Sequence, residues 1–266
     1  MKFNAINLIL FILSVAIYPT QLFANTSIDN CLVGCPTGGS DQTIIRNVYT
    51  LNNNSSTKFA NWVAYKVTED SQASGRSRYW MQEPNLPVSD TLAPAAYSGA
   101  YGQLALDRGH QAPLSSLAGH DDWRALNYLS NITPQKAALN RGAWARLEDQ
   151  ERKLANSAEV TAVYSVTGPL FENDIATLPA DESVQIPSGY WKVIFIGTSP
   201  EQGQYAAFLM EQDIPRSAKF CDYQVTVDAI EEKTNPKLKI WSDLPEDIAN
   251  TIKSQQGTLA KEMGCE

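Results

Sequence analysis

Histidine is almost missing from this chain: only His110 and His120 occur among 266 residues. A zinc site assembled from several imidazoles is therefore excluded, and there is no His-Glu-x-x-His pair. Other catalytic signatures are absent too. The chain has no Gly-x-Ser-x-Gly elbow, no Gly-x4-Gly-Lys-Ser/Thr phosphate loop and no Gly-x-Gly-x-x-Gly dinucleotide turn. Basic charge is scarce, with 21 Lys and Arg against 29 Asp and Glu and a formal net charge of −8. Such a chain is not held on a polyanion by its overall field. Beyond the N-terminal segment no apolar run approaches the roughly 20 residues of a membrane-spanning helix. Internal repeats and low-complexity tracts are also lacking.

What is present begins with a targeting segment. Lys2, the apolar run Leu8 to Tyr18 and Leu22-Phe23-Ala24 read as a charged region, a hydrophobic region and a cleavage point after Ala24. This predicts a signal peptide over residues 1–24 and a secreted, extracellular protein without membrane attachment, its residues 25–266 forming a single domain. All four cysteines (Cys31, Cys35, Cys221, Cys265) follow the cleavage point. An even count in an exported chain reads as two disulfides. Of the three possible pairings, Cys31–Cys35 is expected as a tight loop around Gly34. Cys221–Cys265 would tie the C-terminus to the body.

Strands are expected over Thr43–Leu51, Phe59–Val67, Leu104–His110, Val160–Thr167, Tyr190–Gly197, Tyr205–Met210 and Val225–Val227, with another at Leu238–Trp241. A polar stretch from Glu69 to Pro94, with Pro84, Pro87 and Pro94, reads as a long loop carrying Arg76 and Arg78. Helical patterning is expected around Trp123–Leu129, at Asp228–Lys233, over Leu244–Ser254 and over Asn140–Ala155. In the last of these Trp144, Leu147 and Leu154 form the apolar stripe and Gly142 weakens the first turn. Strands of antiparallel character with irregularly placed helices predict an α+β fold.

Chemistry concentrates between Asp107 and Leu154. From Arg76 to Lys153 there are nine Lys or Arg against eight Asp or Glu, so this region is near neutral on an acidic body. On a strand of period two, Arg108 and His110 share a face, while Asp107 and Gly109 point the other way. Gly109 would let a backbone or a phosphate approach closely. Arginine offers a fork of donors to phosphate oxygens, and neutral imidazole accepts a proton from water near pH 7. Asn140, Trp144, Glu148 and Arg152 recur every fourth residue, which would align them along one side of a helix. An Asn carbonyl and a Glu carboxylate suit Mg²⁺, which prefers oxygen and takes few protein ligands. The same spacing equally describes an exposed helix with a Glu148–Arg152 pair.

These segments carry a resemblance. Asp107-Arg108-Gly109-His110-Gln111-Ala112-Pro113, the stretch Asn127-Tyr128-Leu129-Ser130-Asn131-Ile132-Thr133-Pro134-Gln135 and Trp144-Ala145-Arg146-Leu147-Glu148 closely resemble the DNA/RNA non-specific endonucleases, whose site is a His-containing ββα-metal finger. The likeness extends over nearly all of residues 25–266. It implies a central antiparallel sheet flanked by helices on both sides. It further implies cleavage of single- and double-stranded DNA and RNA to 5′-phosphorylated fragments, with Mg²⁺ as cofactor (Mn²⁺ as a substitute) and a homodimer. By the same resemblance His110 is the general base, Asn140 the sole direct metal ligand, and Glu148 holds the metal's waters. Arg78 stabilises the phosphorane, Arg108 and Arg152 bind substrate phosphates, and Asn127 and Asn131 serve the site or substrate.

Two residues depart from the family pattern. His120 stands in a loop where no histidine is expected, and Arg141 replaces an uncharged residue beside Asn140. Asn131-Ile132-Thr133 also matches a glycosylation sequon, though its place inside the motif favours a role in the site. The competing readings are a secreted nucleic-acid-binding protein without catalysis and a metal-independent ribonuclease pairing His110 with His120. The latter needs the RNA 2′-hydroxyl, so it leaves DNA intact and persists in EDTA.

Overall fold

A computed structural model describes residues 28–266; the signal peptide expected over residues 1–24 lies outside the described residues. In chain order the strands and helices are β1 (Thr43–Ile45), β2 (Thr50–Asn54), β3 (Phe59–Val67), α1 (Ala100–Leu104), β4 (Leu106–His110), α2 (Leu114–Leu117), β5 (Ile132–Lys136), α3 (Ala137–Leu139), α4 (Ala145–Ala155), β6 (Val163–Leu170), β7 (Thr177–Leu178), β8 (Asp181–Gln185), β9 (Gly189–Ile196), β10 (Gln204–Glu211), β11 (Gln224–Val225), α5 (Val227–Lys233), α6 (Glu246–Lys253) and α7 (Leu259–Glu262). Seven strands form one antiparallel sheet in the order β1-β2-β3-β6-β9-β10-β11. The fold is α+β, as expected. Among the described residues no helix is long and apolar enough to cross a membrane.

The central strands are buried on both faces, so their sequences are nearly continuous runs of β-branched and aromatic residues. In β9, Tyr190 and Ile194 enter the core on the α4 side, whereas Trp191, Val193 and Phe195 enter the core on the α5–α6 side. In β3 the same alternation places Val63 and Tyr65 on one side and Trp62 and Ala64 on the other. Period two thus divides one sheet between two apolar layers. A third cluster around Phe59, Tyr97, Leu106, Leu129 and Ile132 seats the β4–β5 ribbon on the sheet. Bridges join Cys31 to Cys35 and Cys221 to Cys265.

Several local expectations change. Thr43–Leu51 is not one strand but the beginning of a hairpin, because Arg46 N–H donates to Tyr49 O at 2.9 Å and turns the chain. Leu238–Trp241 makes only an isolated bridge, Thr37 to Lys239, and packs its apolar side chains beneath the sheet. The helix expected over Asn140–Ala155 is broken: Asn140–Trp144 form a wide π turn with Gly142 outside helical geometry, and regular helix starts at Ala145. A Cβ on Gly142 would lie 2.8 Å from Arg216 O, so this turn passes too close to the neighbouring backbone for a side chain.

One polar cluster fixes α4 to the sheet. Lys192 of β9 and Glu151 of α4, both with fully buried side chains, form an ion pair of 2.8 Å. The Lys192 ammonium also donates to Tyr65 Oη at 2.6 Å, and that hydroxyl donates to Glu151 Oε1 at 2.9 Å. Ser165 donates to the same carboxylate, and the ammonium lies 5.0 Å from the centre of the Trp144 ring. Removing one member leaves the other charge buried and unpaired, at a cost of about 3–5 kcal/mol, whereas replacing both by apolar groups is often neutral. Lys192→Met is accordingly expected to lose about 3–5 kcal/mol in urea unfolding. Lys192→Met/Glu151→Met should recover most of that loss. Two additive losses would mean that the pair does not act as a unit.

Candidate active site

The β4–β5 ribbon, the π turn and α4 enclose a cleft of about 590 Å³. Arg78 and Trp80 of the long loop line it, with Tyr101 of α1, Asp107, Arg108 and His110 of β4, Asn140 and Arg141 of the π turn, and Glu148 of α4. The ribbon pairs His110 with Ile132, Gly109 with Thr133 and Arg108 with Pro134. What closes the space at Gly109 is a neighbouring side chain rather than a backbone: a Cβ there would lie 2.5 Å from Gln135 Oε1. The chain after Lys136 turns back over the Leu106–Asp107 end of the ribbon, and this brings Asn140 beside Asp107. Period two placed Asp107 away from His110, yet the returning π turn makes it part of the cleft.

His110 sits against the Trp80 ring, with centroids 5.5 Å apart, and its Nε2 is 3.4 Å from Asn127 Oδ1. Burial, reinforced by the nearby Arg78 cation and opposed by the Asn127 contact, lowers the imidazole pKa to about 4. The ring is therefore neutral at pH 7. With the proton on Nε2 facing the Asn127 carbonyl, Nδ1 keeps its lone pair.

Asn140 Nδ2 donates to Asp107 Oδ2 at 2.9 Å. Arg141 grips the same carboxylate twice, Nε to Oδ2 at 2.8 Å and Nη2 to Oδ1 at 2.6 Å. With its amino end tied, Asn140 has its carbonyl oxygen left for the cleft. Glu148 is pushed up to about 7, chiefly by desolvation; Lys192 opposes this and Glu151 reinforces it. Arg108 donates to Pro94 O at 3.2 Å and lies over the rings of Trp80 and Tyr97. An amide oxygen and a carboxylate suit a hard cation that keeps most of its water. A desolvated carboxylate awaiting positive charge agrees with that fit. Among the described residues no group of three or more His, Cys, Asp or Glu is gathered, so a closed metal cage is not available.

Four residues singled out from the sequence are not part of the cleft lining. Asn131 is fully buried. Its Oδ1 accepts from Ala112 N–H at 2.8 Å, and its Nδ2 donates to Ala112 O and Leu126 O. It pins the chain after β4 and cannot touch substrate, and its amide nitrogen is not available to a glycan. Asn127 is also buried and meets His110 from below rather than facing the cleft. Arg152 is outside the cleft lining, donating to Ser116 Oγ at 3.0 Å and pairing with Asp149. The break at Gly142 takes it off the row with Asn140. His120 is not in the cleft, so it forms no acid–base pair with His110 there. Sequence reasoning missed Trp80 and Tyr101; their only signal was an aromatic two residues after Arg78 and another five residues ahead of β4.

A β-ribbon followed by a helix, presenting one imidazole, one amide oxygen and one carboxylate beneath arginines, is the ββα-metal arrangement of metal-dependent nucleases. The chain belongs to the DNA/RNA non-specific endonuclease family, whose model matches residues 26–247. It is 58% identical over 257 residues to a nuclease of Serratia marcescens, covering 95% of this chain and 96% of that one. A nuclease of a Nostoc species is 27% identical, with 89% of this chain and 88% of the other covered. The solved EndoG structure in complex with EndoGI superposes with a TM-score of 0.66 at 22% identity, over 79% of this chain and 89% of that chain. That last likeness concerns the fold.

The shift of Glu148 has a measurable consequence. Its folded pKa of about 7 lies above the ordinary carboxyl value of 4.5, so ionising it in place costs stability as pH rises through that range. In EDTA, Glu148→Gln should melt higher than wild type at pH 8, and the gap should close below pH ~4.5. Equal melting temperatures at both pH values would show that Glu148 is not desolvated.

Proposed function

We propose that residues 25–266 form a single-domain, secreted endonuclease that hydrolyses phosphodiester bonds of single- and double-stranded DNA and RNA to 5′-phosphorylated oligonucleotides. The observation that carries this reading is one cleft holding a neutral His110, the Asn140 carbonyl, the Glu148 carboxylate and two arginines. Asn140 would hold Mg²⁺, or Mn²⁺ in its place, through Oδ1, and Glu148 would hold it through water. When bound, the cation stabilises charge developing on the leaving 3′ oxygen.

The protein's own groups do the rest. Asn127 fixes the His110 ring so that Nδ1 takes a proton from the attacking water. Arg78 and Arg108 receive the phosphate oxygens. Pairing of Arg78 with a phosphate removes its repulsion from His110, so substrate itself raises the basicity of the ring. Arg152 acts from behind the wall by holding Ser116 of α2 rather than by touching the scissile phosphate. None of these contacts reads base edges, which agrees with cleavage independent of sequence. By analogy with the family resemblance, two copies associate as a homodimer.

Plasmid nicking with and without Mg²⁺ tests the proposal. Wild type should cut DNA and RNA, stop in EDTA and leave 5′-phosphates. His110→Ala should lose about 10²–10⁴-fold in kcat. Asn140→Ala should be as inactive at ordinary Mg²⁺ and bind the ion more weakly by calorimetry. Intact DNA after incubation of wild type with Mg²⁺, or RNA cleavage persisting in EDTA, would overturn the reading. Sedimentation of the protein tests the dimer.

A further inference from the structure

We propose that Tyr101 and Arg141 form a stacking platform for an unpaired nucleobase of the substrate strand. The proposal rests on the nuclease reading and adds a contact to the strand beyond the phosphate groups. Tyr101 is 58% exposed although it lines the same cleft as His110 and Asn140. Tyr79, an aromatic exposed still more, does not line the cleft. The Arg141 guanidinium lies 5.2 Å from the Tyr101 ring centre. It is held there by its two bonds to Asp107, the carboxylate that also holds Asn140. The platform is therefore registered to the end of the cleft where the bond is cut.

Its chemistry favours a base over a phosphate. The charge of Arg141 is already matched by Asp107, whereas among the described residues Arg78 and Arg108 have no such bidentate carboxylate partner and are the groups suited to phosphate oxygens. What Tyr101 offers is a flat, rigid π surface that accepts any base, because every base has a π face. In a duplex those faces are covered by neighbouring pairs. Only a single-stranded or extruded base can use the platform, so it favours single-stranded regions without conferring sequence preference. Such a contact strengthens ground-state binding, and its loss raises KM more than it lowers kcat.

The test uses the Mg²⁺-loaded protein and a single-stranded oligonucleotide with phosphorothioate linkages except at one phosphodiester, so that the register of cleavage is fixed. An abasic site is walked along the strand. In wild type, one position should raise KM about 5- to 10-fold with little change in kcat. Tyr101→Ala should raise KM for the intact strand by a similar factor and no longer respond to the abasic site. Tyr101→Phe, which keeps the ring, should behave as wild type. A flat walk in a wild type that still cleaves overturns the platform alone, as does a Tyr101→Ala variant with the same positional sensitivity. A wild type that cleaves neither the oligonucleotide nor plasmid DNA overturns the nuclease reading and the platform together.

Discussion

The Lys192–Glu151 pair is the constraint on which the working geometry rests. Two charges without solvent contact persist only because each is matched and the remaining hydrogen-bonding capacity is taken up by Tyr65 and Ser165. The pair ties α4 to three strands of the central sheet, since Tyr65 lies on β3, Ser165 on β6 and Lys192 on β9. Glu148 stands three residues before Glu151 on that helix and points into the cleft. Its position is thus set by a contact that no substrate touches. A purely apolar seam would bury α4 equally well but would not prescribe its rotation about its own axis.

Opposed electrostatic pressures define the cleft. Desolvation and Arg78 drive His110 toward neutrality, and desolvation drives Glu148 toward its protonated form. The larger cause of both shifts is the exclusion of water from the two side chains. Arrival of a cation would favour the ionised carboxylate, and arrival of a phosphate would quench Arg78. The site is therefore prepared for ligands of both signs, which accords with a chain whose overall charge of −8 does not attract a polyanion from a distance.

Much of the site was legible because it lies in short, nearly contiguous motifs. His110 and Arg108 sit on a strand whose period shows which residues share a face. Asn140 and Glu148 could be brought near them only by the family resemblance, because the spacing of four assumed an unbroken helix. Gly142 breaks that helix where the turn passes Arg216. Asn131 shows a related limit: its place in the motif left a role toward the site or the substrate open, and only the packed structure shows that it satisfies buried backbone groups. Asp107 was left out of the site because strand periodicity contains no information about a segment that returns across the ribbon some thirty residues later.

The amino-acid sequence by itself determined the α+β class, the two-faced burial of β3 and β9, and the chemistry available to the cleft. Hydrophobic period and residue type are local properties, and they act wherever the chain goes. Tertiary structure alone decided that Asp107 orients Asn140, that Asn127 supports His110 from beneath, that Arg152 braces α2, and that Tyr101 and Arg141 share the cleft with the Asp107–Arg108–Gly109–His110 segment. Those relations join residues far apart in the chain through hydrogen bonds effective only near 3 Å. No local pattern specifies such a distance until the sheet, the ribbon and the pinned helix have packed.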